Sequence, residues 1–305
     1  MLGPDLLEGK VGLVTGAGTP YGIGRECVKK FAAAGAKAIY ACDLNTSSIS
    51  SLQEECKRAG YATIIEGRLL DVSNEEQTVA IVREITKIHG RFDFCIANAG
   101  FANYRNLNDT EMVHYDRQVN VMTRGVFLAI KYGSQAMMVT SDLKPQPGGT
   151  FVVTGSCAGF SGAYSDLPYA VAKTALHGMV SSGSAHLSSS NIRVNGVAPG
   201  FTKSSILTVS KDAENGEYKN DLDEDQLKEN HMWFFERAGL LKSPEYFYNR
   251  LQDPSEIASV QLFLASDLSS CINGQMILAD SGKTAAATGD ACTGPIPPIK
   301  PLDLS

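Results

Sequence analysis

The sequence has no surplus of positive charge: 27 lysines and arginines stand against 33 aspartates and glutamates, a net charge of −6. Proteins that hold nucleic acid gather cations against phosphates, so nucleic acid is not an expected partner. Long hydrophobic runs are also lacking. None approaches the roughly 18 uncharged residues that a membrane-spanning helix needs, so no membrane partner is expected either. The opening MLGPDLLEGK has no basic stretch followed by an apolar one. No signal or transit peptide is read there, and the expected location is cytoplasmic. Only 5 histidines are present, with no H-E-x-x-H or paired Cys/His spacing, so no metal is expected. The 7 cysteines contain no C-x-x-C and sit mostly in apolar segments such as FDFCIANAG, which reads as buried thiols.

What is present is a globular composition, 43% hydrophobic and 20% charged, with 29 glycines. From residue 10 onward, short runs rich in Val and Ile alternate with longer segments of helical period. The runs KVGLVTG, AKAIYACD, ATIIEGRLLD, FDFCIANAG, GGTFVVTGS, IRVNGVAPG and GQMILAD predict seven strands, with helices between them. A long helical segment is expected around VNVMTRGVFLAIKYGSQAMM. The class is α/β, a doubly wound parallel sheet with helices on both faces, in a single domain over 1–305. Two segments break the rhythm. Residues of about 203–250 are charged and then aromatic, with the only Trp, Trp233, beside Phe234 and Phe235, and Tyr246, Phe247 and Tyr248 further on. They form either an insertion on its own small core or a lid over an apolar substrate. The tail at about 283–305 holds Pro295, Pro297, Pro298 and Pro301, which exclude helix and central strand.

The first strand runs into TGAGTPYGIG, Thr15 to Gly24, and a helix follows at once. Glycine there lets backbone N–H groups approach a pyrophosphate at the positive end of a helix. A Gly-rich turn alone is often just a tight turn. Its place after the first strand, with Asp43 ending the second, points instead to a dinucleotide whose ribose hydroxyls meet a carboxylate. A 2′-phosphate about 4 Å from Asp43 would cost up to ~4 kcal/mol at an effective dielectric near 20, so NAD is favoured over NADP. Tyr21, Leu44 and Asn45 add no compensating cation, although Arg25 could reach across. Tyr169 and Lys173, at i and i+4, share one helix face. Such a pair is usually a solvated face, but a desolvated ammonium beside a phenol can also make it a working base. Asn120 is an unusual residue for a helix interior.

In order along the chain stand TGAGTPYGIG, Asp71-Val72, Asn98-Ala99-Gly100, Asn120, Ser156, Tyr169-x-x-x-Lys173 and Pro199-Gly200. Through them the chain resembles the short-chain dehydrogenase/reductase family over roughly residues 8–282. The resemblance implies a Rossmann-type fold and a catalytic set of Asn120, Ser156, Tyr169 and Lys173. Ser156 would orient the substrate oxygen, Tyr169 would carry the proton, and Asn120 would link Lys173 to solvent through a bound water. Cofactor contacts are implied at Gly16, Gly18, Tyr21, Gly22, Ile23, Gly24, Asp43 and Leu44. Asp71 and Val72 would hold the adenine. Asn98, Ala99 and Gly100 would flank the cofactor, Tyr169 and Lys173 would meet its ribose, and Pro199, Gly200, Thr202 and Ser204 would take the carboxamide. The phosphate loop is longer than is usual in the family, so either Gly16 or Gly18 could make the close approach, and Pro20 offers no N–H. Thr202 and Ser204 also depart from the family's usual residues.

The expected function is NAD(H)-dependent interconversion of a secondary alcohol and a ketone, with oxidation favoured. The aromatic insertion suggests a bulky apolar small molecule such as a secondary metabolite. An NADP(H)-dependent ketone reductase is the near alternative, and a non-redox dinucleotide-binding module the distant one. The resemblance also implies a homodimer or homotetramer.

Overall fold

The computed structural model describes residues 5–210, 223–237 and 250–286. The triplet Tyr246–Tyr248 and the four tail prolines lie outside the described residues, and the side chains of Trp233, Phe234 and Phe235 are likewise not described.

All seven expected strands form: β1 (Val11–Thr15), β2 (Ala38–Asp43), β3 (Ile64–Leu69), β4 (Phe94–Ala97), β5 (Gly149–Thr154), β6 (Ile192–Pro199) and β7 (Met276–Ala279). They pair in parallel in the order β3-β2-β1-β4-β5-β6-β7. Alternate residues feed two cores, as a period of two requires. Val14, Ile39, Ile96 and Val152 face one side, while Leu13, Tyr40, Cys95 and Phe151 face the other. Helices α1 (Ile23–Ala33) and α8 (Pro254–Ala265) cover the first side. Helices α3 (Glu75–His89), α5 (Gly125–Met137) and α6 (Leu167–Leu187) cover the second, and α2 (Ile49–Arg58) follows β2. This is the doubly wound, Rossmann-type architecture.

Local chemistry sets the helix ends. The Asn74 side chain accepts the Gln77 N–H to open α3, and Gly90, at φ +67°, closes it. Asp253 and Glu256 form a reciprocal capping box on α8. The long helical segment expected around residues 119–138 forms, with a π-helical turn inside it. It divides into α4 (Met112–Val119), a π-helical turn at Asn120–Arg124, and α5. Gln118 and Met122, four residues apart on one face, both turn inward and lie within 1% of complete burial.

The charged segment contains a further helix, α7 (Glu224–Arg237), which buries Leu227 and His231. His231 Nε2 lies 3.3 Å from the Ser204 carbonyl oxygen, docking α7 beside the 3-10 turn Ser205–Ser210. Among the described cysteines, Cys27, Cys42, Cys56, Cys95 and Cys157 are buried as expected. Cys271 is exposed, because it lies in the turn leading into β7 rather than in an apolar run. No helix of the described residues is long and apolar enough to cross a membrane.

Candidate active site

The strand order reverses between β1 and β4, so a crevice opens at the carboxyl ends of these strands. There the structure holds a cavity of about 550 Å³.

Its first wall is the β1–α1 loop. Gly16, at φ +70°, lines the cavity, and a Cβ on it would lie 2.9 Å from Ala99 Cα. Gly18 has another role: its N–H donates to Asp43 Oδ2 at 2.8 Å, and a Cβ would fall 1.9 Å from the Asn45 carbonyl oxygen. Gly24 packs behind, where a Cβ would sit 2.2 Å from Gly16 O. Of the two glycines left open by the loop's length, Gly16 therefore faces the cavity and Gly18 supports Asp43. Tyr21, Gly22 and Ile23 complete this wall. Gly22 caps α1 without a side-chain acceptor, leaving the helix's first N–H groups to an anion. A cradle that side chains would fill, at a helix N-terminus, fits a dinucleotide pyrophosphate.

At the adenosine end, Asp43 accepts N–H groups of Gly18 and Asn45. Burial pushes its carboxyl upward, partly offset by those bonds. Leu44, Asp71 and Val72 line the same end. Arg25 does not reach it. This buried guanidinium donates to Ser48 O at 3.1 Å, Ser51 Oγ at 3.0 Å and Glu55 Oε1 at 2.8 Å, all on or beside α2.

In the middle, Asn98, Ala99 and Gly100 line the cavity. The Asn98 amide donates to Thr15 O at 3.0 Å and Gly16 O at 3.3 Å, while its Oδ1 accepts the Thr154 hydroxyl at 3.1 Å. Fully buried Gln261, from α8 on the other face of the sheet, donates to the same hydroxyl at 2.9 Å. A further link from Thr19 Oγ1 to Ser205 Oγ, 2.7 Å, ties the phosphate loop to the loop after β6. The sequence reading missed Thr154, Gln261, Thr19 and Ser205; their partners lie too far along the chain for any local pattern to show.

At the far end, the Asp166 side chain caps α6 by accepting the Tyr169 N–H at 2.9 Å, and Pro168 lies in the first turn. Tyr169 and Lys173 consequently project together into the cavity, beside Ser156 at the end of β5. Ser156 stands near the Tyr169 hydroxyl and works to lower its pKa, but burial pushes the phenol above the ordinary value. Lys173 Nζ donates to Thr154 O at 2.8 Å and lies 5.4 Å from the centroid of the Tyr169 ring. Burial pushes this ammonium down to about 8. Cys157, pushed up to about 11 by burial, stays a thiol at neutral pH.

Asn120 is the expected catalytic residue that the structure does not bring here. It is exposed and does not line the cavity. Two residues on, about 200° around a helix, buried Met122 turns inward. A Cβ on Gly100 would lie 3.4 Å from Met122 Sδ and 3.5 Å from Lys173 Nζ, so a thioether and the ammonium both border Gly100, on the side where an amide was expected. The inward stripe Gln118, Met122, Val126 and Ala129 was the available sequence signal.

Pro199, Gly200, Thr202 and Ser204 all line the cavity as expected. The Gly200 N–H donates to Gln252 Oε1 at 2.9 Å, and the Thr202 hydroxyl donates to Gly200 O at 3.2 Å, shaping the turn after β6. The lining also holds Tyr104, Tyr164, Phe201, Ile206 and Leu207, with Arg117 and Ser165 as polar members. The rings of Tyr164 and Phe201 meet edge to face at 6.0 Å.

A family model described as short chain dehydrogenase matches residues 10–215. The 3-oxoacyl-[acyl-carrier-protein] reductase FabG of Thermotoga maritima is 31% identical over 276 residues, covering 90% of this chain and 98% of its own. A 3alpha-hydroxysteroid dehydrogenase of Mediterraneibacter gnavus is 27% identical over 275 residues, with 90% and 97% covered. The crystal structure of levodione reductase superposes with a TM-score of 0.76 at 26% identity, covering 92% of this chain and 99% of that one.

Proposed function

The chain belongs to the short-chain dehydrogenase family, and from that premise we propose that it is an NAD(H)-dependent oxidoreductase interconverting a secondary alcohol and a ketone on a bulky apolar small molecule, with oxidation favoured. One observation carries this reading: Ser156 and Tyr169, with Lys173 one turn away, line one end of a cavity that Asp43 lines at the other. A nicotinamide dinucleotide held by the β1–α1 loop would supply the hydride acceptor.

The residues divide the remaining work. Ser156 donates a hydrogen bond to the substrate oxygen and fixes its distance from Tyr169. Tyr169 takes the hydroxyl proton during oxidation and returns it during reduction. Burial alone favours the phenol, so the positive charge on Lys173 has to stabilise the phenolate across the 5.4 Å between Nζ and the ring. Lys173 donates to the Thr154 carbonyl oxygen. The proton chain we expected through Asn120, which does not line the cavity, forms no part of this proposal.

The cofactor preference rests on Asp43 and on Arg25, whose donors are engaged with α2. Fluorescence titration should show NADH binding at least about tenfold more tightly than NADPH, and Asp43→Ala should erase that preference. Equal or tighter NADPH binding by the wild type would turn the reading toward ketone reduction, the direction named in the Thermotoga relative and in levodione reductase.

The apolar lining supports a bulky substrate, as does the hydroxysteroid named for one relative. We read the segment of about 203–250 as a cover of this end on the strength of its described part, because α7 docks beside the 3-10 turn that lines the cavity; residues 211–222 and 238–249 lie outside the described residues. Trimming residues 230–250 should raise KM for bulky alcohols and leave NADH affinity intact; unchanged kinetics would remove the cover from the proposal.

A further inference from the structure

Tyr104 carries a left-handed backbone, φ +52°, on a bulky side chain. L residues adopt it rarely, and only where the surroundings hold it. Here the hold is visible: the Tyr104 N–H donates to Asp166 Oδ2 at 2.7 Å. The other oxygen of the same carboxylate, Oδ1, accepts the Tyr169 N–H at 2.9 Å. Asp166 is 8% exposed, and each of its oxygens is matched to one N–H group. One belongs to the loop after β4, the other to the first turn of the helix that carries the proton-transferring phenol.

The Tyr104 ring is equally well placed. It packs against the cluster of Met122, Ala158 and Tyr169, and also against Leu207 and Leu251. It therefore joins the wall behind the reacting group to the wall around the apolar end of the cavity, which it lines.

Resting on the function proposed above, we propose that Tyr104 is the specificity-determining side chain of the substrate end, and that Asp166 is the positioning residue that fixes it relative to Tyr169. A single carboxylate sets both the wall that meets the body of the substrate and the backbone that carries the hydroxyl meeting its oxygen. Distance between those points selects the substrate. The rings of Tyr164 and Phe201, packed edge to face, give this end an aromatic wall that favours an alcohol whose carbinol carbon lies in or next to a ring system.

Asp166→Asn separates the two links. An asparagine still caps a helix through its one carbonyl oxygen, but its NH₂ group cannot accept the Tyr104 N–H. Hydrogen exchange read by mass spectrometry should show residues 100–106 exchanging faster in the variant, with the start of α6 unchanged. In kinetics with a cyclic secondary alcohol, KM should rise about tenfold while kcat stays within about twofold and NADH affinity is unaltered. Tyr104→Ala should do the same, and the double variant should be no worse than Tyr104→Ala alone, since the two changes break one interaction. Multiplying effects, or residues 100–106 exchanging as they do in the wild type, would reduce Asp166 to a helix cap and overturn the proposal. A wild type that binds NADH yet oxidises no alcohol would sink the functional reading instead, and the exchange measurement would still decide the fate of the Asp166 link.

Discussion

Lys173 is buried against a carbonyl oxygen rather than a carboxylate, and the cost of that choice shows in its ammonium, pushed down from 10.5 to about 8. At about 1.4 kcal/mol per unit, holding the charge inside the fold costs on the order of 3 kcal/mol. The sign follows from proton linkage. The folded state binds the proton less tightly than the unfolded one, so the deficit is complete below about pH 8 and fades as pH rises toward the unfolded value near 10.5. Lys173→Met should therefore be inactive yet melt higher than the wild type at neutral pH, by roughly 5 °C or more. That advantage should shrink as the pH approaches about 10. Circular-dichroism melts over this range check it; an equal or lower melting temperature for the variant at pH 7 would mean that the charge is better compensated than the geometry indicates.

The β1–α1 loop shows how an element can be specified by close contacts rather than by hydrogen bonds alone. Gly18→Ala would drive a Cβ into the Asn45 carbonyl oxygen at 1.9 Å, so the loop or the end of β2 must move, and NADH affinity should fall at least tenfold, about 1.4 kcal/mol or more. Gly22→Ala meets only the Thr19 methyl at 2.7 Å, a side chain that can rotate, and should cost much less. Comparable losses in the two variants would contradict this account of the loop. The strands were legible from sequence because β1, β2, β4 and β5 are buried on both faces and read as continuous Val, Ile and Ala runs. Tyr169 and Lys173 were legible because helical spacing brings them together. Asn120 was misread because residue type was weighed above helical phase, and the stripe through Gln118, Met122 and Val126 shows which face turns inward. Helix α7 was hidden by the acidic residues around Leu227 and His231. The Asp166 to Tyr104 contact spans 62 residues and has no local signature.

At the scale of the whole molecule, α5 and α6 leave large apolar side chains in the open: Phe127 is 55% exposed, Leu167 55% and Val171 40%. Burying such a face against a second copy is the expected route to a homodimer or homotetramer. Phe127→Glu should shift gel-filtration elution toward the monomer while NADH binding persists; an unchanged elution volume would move the interface elsewhere. The engagement of Arg25 has a consequence for redesign. An engineer wishing to turn this chain toward the phosphorylated cofactor could not borrow that guanidinium, because releasing it would undo the joint between α1 and α2. The cation would have to be imported on the open rim, at Leu44, which is 61% exposed, together with neutralisation of Asp43.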